Sequence, residues 1–292
     1  MALDFEQAGQ IARQLGLDEH DLRFQPIRGG DSADCFLLQA ADYWVFLKTL
    51  PTARCAVLSA EADGLKALGE SHAVRVPRIY GRGSISSMAW LALEYLDLEA
   101  RHRRSDEQLG HALARLHRQQ GDRFGWHRQN FIGLTPQINS QLDSWAEFFL
   151  WHRLAEQLKR LDQQHPDQQW SDMIQPLVKN WHKRFVHHRP PPALIHGDLW
   201  KGNAARLGDD TPVLFDPAVH YADRECDLAM ARLFGGFDDS FFAAYQESWA
   251  LPEDHRERIP WYQFYHLLNH ANLFGGAWLE RARSLADRQL LH

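Results

Sequence analysis

Leu194-Ile195-His196-Gly197-Asp198-Leu199-Trp200-Lys201-Gly202-Asn203, followed by Val213-Leu214-Phe215-Asp216, is the part of the chain whose reading decides the rest. It sets an Asp, an Asn five residues on, and a second Asp thirteen beyond that. Each Asp stands at or just past the end of a short apolar strand. Phosphoryl transfer from ATP needs such a set: one carboxylate beside the attacking hydroxyl, and an amide plus a carboxylate to hold Mg²⁺ on the phosphates. Asp198 is the candidate general base. Asn203 and Asp216 are the candidate Mg²⁺ ligands, since Mg²⁺ takes hard oxygen donors. His196 is expected to make a structural hydrogen bond to backbone rather than to react. A single Asp in a turn would be weak evidence, because Asp is common there for local hydrogen-bonding reasons.

The remaining kinase parts are sought upstream. Tyr43-Trp44-Val45-Phe46-Leu47-Lys48 reads as a strand, with Trp44, Phe46 and Lys48 on one face. A helix is expected over about 54–68, where Val57, Gly64, Leu65 and Leu68 form one stripe with Glu61 in its middle. A carboxylate on a buried face needs a partner, and Lys48 is the natural one. The alternative is that Glu61 lies at the stripe's edge in water. With the pair formed, Lys48 would neutralise the α- and β-phosphates of ATP. Gly29 and Gly30 sit at the tip of a hairpin expected over 24–38, where backbone could approach phosphate and Ser32 could add a hydroxyl. No Gly-Lys-Ser/Thr follows, so this is not a Walker loop. Glu94, Tyr95 and Leu96 close a strand from Met88 and are placed to offer backbone groups to adenine.

Elsewhere, residues 4–16 have helical spacing, and Ser105 with Gln108 reads as a capping box opening another helix. Residues 124–139 read as a loop, 190–192 as a Pro-rich linker, and 194–196 and 213–216 as strands. Helices are expected over 224–234, ending at Gly235-Gly236, and over 238–248 and 260–291. The first third is strand-rich and the remainder helix-rich. The expectation is therefore α+β: an N-terminal lobe over 1–95, a mostly helical C-terminal lobe over 96–292, and a cleft between them.

Composition removes several classes. The 292 residues carry a net charge of −6, which gives no electrostatic case for nucleic acid; Arg101-His102-Arg103-Arg104 is too short to change that. No apolar run is long enough to span a bilayer, and no basic segment followed by a long apolar one opens the chain. Cys35, Cys55 and Cys226 form no C-x-x-C pair, which suits a reducing, cytoplasmic setting. Cys35 lies near the loop assigned to ATP, though a small buried residue is the plainer reading.

The run His196-Gly197-Asp198-Leu199-Trp200 with Gly202-Asn203 resembles the catalytic loop of the fructosamine kinase, or ketosamine-3-kinase, family, within the aminoglycoside phosphotransferase-like group of the protein-kinase-like fold. Asp216-Pro217-Ala218, Asp223-Arg224-Glu225 and Asp227-Leu228-Ala229-Met230 are similar to its metal segment and following helix. Asn130 through Asn139, and Leu268-Asn269-His270 through Phe274-Gly275, also resemble it. The resemblance implies a bilobal kinase that phosphorylates a sugar hydroxyl of small-molecule or protein-bound ketosamines with ATP and Mg²⁺, in protein deglycation. It implies a substrate side around Trp200, Asn130, Gln137 and Asn139; loop-shaping hydrogen bonds are the alternative for the three amides. Asp227 is expected to prop the catalytic loop. Ser32-Ala33-Asp34 departs from the family's usual run after Gly-Gly-Asp. A monomer is favoured.

Three other readings remain open at this point. The chain could be a kinase of the same fold acting on another amino-alcohol or sugar. It could be a non-catalytic nucleotide-binding protein, although the joint presence of Lys48, Glu61, Asp198, Asn203 and Asp216 argues against that. Or His196 and Asp198, with His220 and Asp223, could hold a hydrolytic metal, which would leave Lys48 and Glu61 without a task.

Overall fold

A computed structural model describes residues 3–27, 33–168 and 170–290. In chain order the elements are α1 (Phe5–Gln14), β1 (Arg23–Ile27), β2 (Asp34–Ala40), β3 (Tyr43–Pro51), α2 (Cys55–Glu70), β4 (Ile79–Ile85), β5 (Met88–Glu94), α3 (Arg103–His117), β6 (Asn130–Ile132), β7 (Thr135–Gln137), α4 (Trp145–Phe149), α5 (Glu156–Gln164), α6 (Ile174–Phe185), β8 (Ala193–Ile195), β9 (Ala204–Arg206), β10 (Pro212–Leu214), β11 (His220–Ala222), α7 (Glu225–Phe234), α8 (Asp239–Ser248), α9 (His255–Phe274) and α10 (Ala277–Leu285). They form two compact units. One takes the chain up to Arg101 together with Gly202–Pro217; the other takes His102–Lys201 and the chain from Ala218 onward.

The first unit is built on an antiparallel five-stranded sheet in the order β1-β2-β3-β5-β4. β5 reads Met-Ala-Trp-Leu-Ala-Leu and is buried along almost its whole length, as a strand covered on both faces must be. α1 is held by a reciprocal capping box between Asp4 and Gln7. Its Ala8, Ile11 and Ala12 pack with Leu38, Leu47, Met88 and Trp90. The β9–β10 hairpin joins this unit through backbone bridges between Arg75 and Val213 and between Glu99 and Arg206.

The second unit is helical around an aromatic core. Phe149 stacks on Trp181 with ring centroids 5.3 Å apart, and Trp145, Phe185, Trp261 and Tyr262 close around them. The Trp145 indole donates to Tyr262 Oη at 3.0 Å and the Trp181 indole to the Ala146 carbonyl, so the polar atoms of these large rings are satisfied inside the core.

Several expectations shift in detail. The helix near Ser105 begins two residues earlier: His102 takes the cap and Ser105 is the third helical residue, its hydroxyl accepting from the His102 amide at 3.0 Å. Residues 130–137 hold a short hairpin, β6–β7, rather than plain loop. The last helical stretch begins at His255, upstream of Pro260, and is cut at Gly275-Gly276, both at positive φ, into α9 and α10. The strands before Asp198 and Asp216 each find a local partner, β8 with β11 and β10 with β9. No helix among the described residues is long and apolar enough to cross a membrane.

Candidate active site

In the first unit, β3 carries Lys48 into a nearly closed position and α2 presents Glu61 to it. Lys48 Nζ donates to Glu61 Oε1 at 2.7 Å and also contacts Asp216 Oδ1. Burial works against the ammonium, but the two carboxylates outweigh it and hold Lys48 protonated well above its ordinary pKa. Burial pushes the Glu61 carboxyl up, with Asp216 adding to the shift and Lys48 opposing it. Asp216 follows β10 at a φ of 55°, a left-handed conformation uncommon for a residue with a side chain. The Phe215 amide donates to the Asn203 carbonyl at 3.1 Å, and the Asn203 side-chain amide donates to the Asp216 carbonyl at 3.4 Å. The β9–β10 hairpin therefore sets an amide and a carboxylate side by side. That donor set is hard oxygen, which fits Mg²⁺.

In the second unit, Asp198 follows β8 on a turn that only glycine can make. Gly197 has φ of +82°, and a Cβ there would lie 2.2 Å from the Ala218 carbonyl oxygen. The Asp198 amide donates to His196 Nδ1 at 3.3 Å, which is the backbone role expected of that histidine. Asp227, buried on α7, accepts the His196 amide on Oδ2 and the Gly197 amide on Oδ1, each at 2.8 Å. Burial alone would raise its pKa; the hydrogen bond and charge of His117, with the charge of His196 and the Gly197 amide, outweigh it and hold the carboxylate ionised.

The other sequence candidates fall as follows. Glu94 ends β5 and is tied to Arg75 and to the Arg78 amide; burial raises its pKa, but these donors bring it below the usual value. Tyr95 is exposed beside Trp44, with ring centroids 6.0 Å apart, and Leu96 is half-buried. Trp200 is half-buried, 6.3 Å from the Phe234 ring. Asn130, Gln137 and Asn139 are buried; their amides donate to the Val219 carbonyl, to Tyr265 Oη and to Asn130 Oδ1 respectively. Gly29, Gly30 and Ser32 lie outside the described residues. Cys35 is buried, and burial pushes its thiol up to about 11, so it is no ready thiolate.

The hydrolytic-metal reading is not supported: no group of three or more ligand atoms among the described residues includes His196, Asp198 or His220. His188, Asp223 and Glu225 do bring ligand atoms within 4.8 Å of one another. Yet both Glu225 oxygens accept from Arg258, and Asp223 accepts from Tyr262, His188 and the Glu225 amide.

Sequence reading missed His117. The signal was there: it follows Leu113 by one helical turn, so a polar ring falls on the apolar stripe of α3 and needs partners.

Comparison with known proteins agrees with this geometry. A "Probable ketoamine kinase" of Vibrio cholerae is 37% identical over 288 residues, covering 96% of this chain and 97% of that protein. The crystal structure of a candidate fructosamine-3-kinase from Haemophilus somnus 129PT superposes with a TM-score of 0.87 at 28% identity, covering 98% of this chain and 96% of that one. The ternary complex of the aminoglycoside phosphotransferase APH(2")-IIa with streptomycin and ATP shares the fold at a TM-score of 0.62 and 16% identity, covering 99% and 98%. The fructosamine kinase family model matches residues 5–292, and the chain, an α+β protein of the aminoglycoside phosphotransferase and protein-kinase-like fold, belongs to that family and is a phosphotransferase.

Proposed function

We propose that this protein transfers the γ-phosphoryl group of ATP to a sugar hydroxyl of ketosamines, with ribulosamine, erythrulosamine and fructosamine adducts as the acceptor class. The observation that carries the reading is the buried Lys48 held between Glu61 and Asp216, with Asn203 beside Asp216. A buried lysine held between two partly buried carboxylates is costly unless it serves a ligand. Lys48 neutralises phosphate oxygens, and Glu61 fixes its Nζ for that task. Asn203 and Asp216 would hold Mg²⁺, which would draw charge from the phosphates. Asp198 accepts the proton of the acceptor hydroxyl as its oxygen bonds to phosphorus and ADP departs. Trp200 offers a ring face to the sugar.

The names of the relatives support a ketosamine acceptor. Phosphorylated ketosamines are unstable and release their amine, so the role we propose is deglycation of small molecules or proteins in the cytoplasm. The test is ADP release from Mg²⁺·ATP with ribulose-, erythrulose- and fructose-lysine adducts, with choline and an aminoglycoside as controls. Adduct-dependent release that Asp198→Asn abolishes is expected. Release with a control acceptor alone would replace ketosamines with another alcohol.

A further inference from the structure

His117 is fully buried at the end of α3 and uses both ring nitrogens. Nε2 lies 3.1 Å from Asp227 Oδ2, and Nδ1 lies 2.8 Å from Tyr245 Oη. Tyr245, on α8, also receives Arg224 Nη1 at 3.2 Å. Arg224 is itself fixed: its guanidinium lies 3.9 Å over the Trp249 ring and donates to the carbonyls of Trp249 and Ala250 at 2.8 and 2.7 Å. One assignment of the protons satisfies every group in this series. Arg224 donates to the Tyr245 oxygen, the Tyr245 hydroxyl donates to His117 Nδ1, and His117 Nε2–H donates to Asp227. Asp227 then has both oxygens aimed at the amides of His196 and Gly197, the two residues preceding Asp198.

We propose that His117 is a positioning residue for phosphoryl transfer: through Asp227 it sets the peptide plane of the turn that aims Asp198, and Tyr245 and Arg224 fix its tautomer and orientation. Without His117, Asp227 keeps its two backbone amides but loses a buried side-chain donor that fixes its rotation and helps hold it ionised. The turn then samples neighbouring orientations, and a base displaced by a fraction of an ångström catalyses less well while substrates still bind. A side chain that only filled space would, on removal, lower stability and leave the balance between kcat and KM alone. The proposal rests on the reading of Asp198 as the base.

The experiment compares His117→Gln, whose amide N–H can reach the place of Nε2–H, with His117→Leu, which has no donor. In ADP-release assays, His117→Leu is expected to lose about 10- to 100-fold in kcat, with KM for ATP and for the adduct within about threefold of the wild type. His117→Gln is expected to recover most of that loss, although both variants should be destabilised. Equal kcat in the two variants, or wild-type kcat in His117→Leu, would overturn the proposal. If His117→Leu does not fold, Tyr245→Phe removes the orienting hydroxyl and keeps the ring; an unchanged kcat there would overturn it too. Amide hydrogen exchange at His196 and Gly197 reads the support without turnover: it should quicken in His117→Leu and not in His117→Gln, and no difference would count against the proposal. Full activity of Asp198→Asn would instead sink the base assignment, leaving the exchange result to stand alone.

Discussion

Replacing Gly197 by Ala tests how tightly the turn before Asp198 is constrained. The added Cβ would stand 2.2 Å from the Ala218 oxygen and 2.8 Å from the Ala218 carbon. Carbon–oxygen contact becomes comfortable at roughly 3.5 Å, so the turn or the Ala218 carbonyl must give by about 1 Å. A side chain in left-handed backbone adds about 1–2 kcal/mol of strain. Moving Ala218 also weakens its amide bond to the His196 carbonyl, now 2.9 Å, at a cost of about 1 kcal/mol. Together these lower stability by about 2–3 kcal/mol, or roughly 3–5 °C in Tm for a chain of this size. The larger effect is kinetic. Asp198, the proposed base, is the next residue, and a misplacement of a base by about 1 Å costs on the order of 10²-fold in rate. Gly16→Ala is the control: it has φ of +71° and nothing within 4 Å of its Cβ, so it bears strain without a clash. Melting by circular dichroism and ADP-release kinetics at a temperature where both variants are folded separate the two effects. If Gly197→Ala keeps kcat within threefold of the Gly16→Ala control, the turn does not aim the reacting carboxylate and the argument fails.

Other outcomes follow from the same geometry. Asp198→Asn should lower kcat by about 10²–10⁴ with ATP binding nearly intact, measured by turnover and by nucleotide titration. Asp216→Asn should weaken both Mg²⁺·ATP binding and turnover; an unaltered Mg²⁺ dependence would remove it from the metal site. The third outcome concerns pH. His266 is buried, and burial, with like charge from His270 and Arg153, lowers its pKa to about 3. It is neutral in the fold and takes up a proton on unfolding below about pH 6.5. Its contribution is therefore present above pH 6.5 and is lost as pH falls toward 3, at about 1.4 kcal/mol per pH unit. Denaturant titrations of His266→Gln should show a correspondingly flatter loss of stability between pH 6 and 4, and an unchanged slope would mean that the histidine is solvated or paired.

The parts of the fold that could be read in advance are those where local pattern and burial agree. α2 shows this: of the stripe read from the sequence, Gly64, Leu65 and Leu68 are buried and Val57 is half-buried, and Glu61 in its middle signalled a cationic partner that the structure supplies in Lys48. β4 could not be read, because Ile79–Ile85 carries two glycines and one face open to water, so its hydrophobic content is low. β6 and β7 have three residues each, too few for alternation to register, and Pro136 sits in one of them. The start of α9 was hidden by Pro260, which reads as a first-turn residue and in fact lies inside the helix. Gly202–Pro217 joins the sheet unit through pairing with Arg75 and Glu99, more than a hundred residues away, and no local signal reports that. The contact between Lys48 and Asp216 was illegible for the same reason.

The placement of the tryptophans has a practical consequence for anyone who follows this protein by optical methods. Of eleven in the chain, Trp44 and Trp90 belong to the sheet-bearing unit and the other nine to the helical one. Intrinsic emission is thus almost a private signal of the helical unit, dominated by rings such as Trp145, Trp170 and Trp181 that lose their shielding only when its core opens. A melting curve recorded by fluorescence can look like one sharp transition while the sheet unit is already loosened or still intact. Ellipticity in the far ultraviolet sees both. Divergence between the two probes would turn an ordinary thermal scan into a measurement of whether the units unfold together.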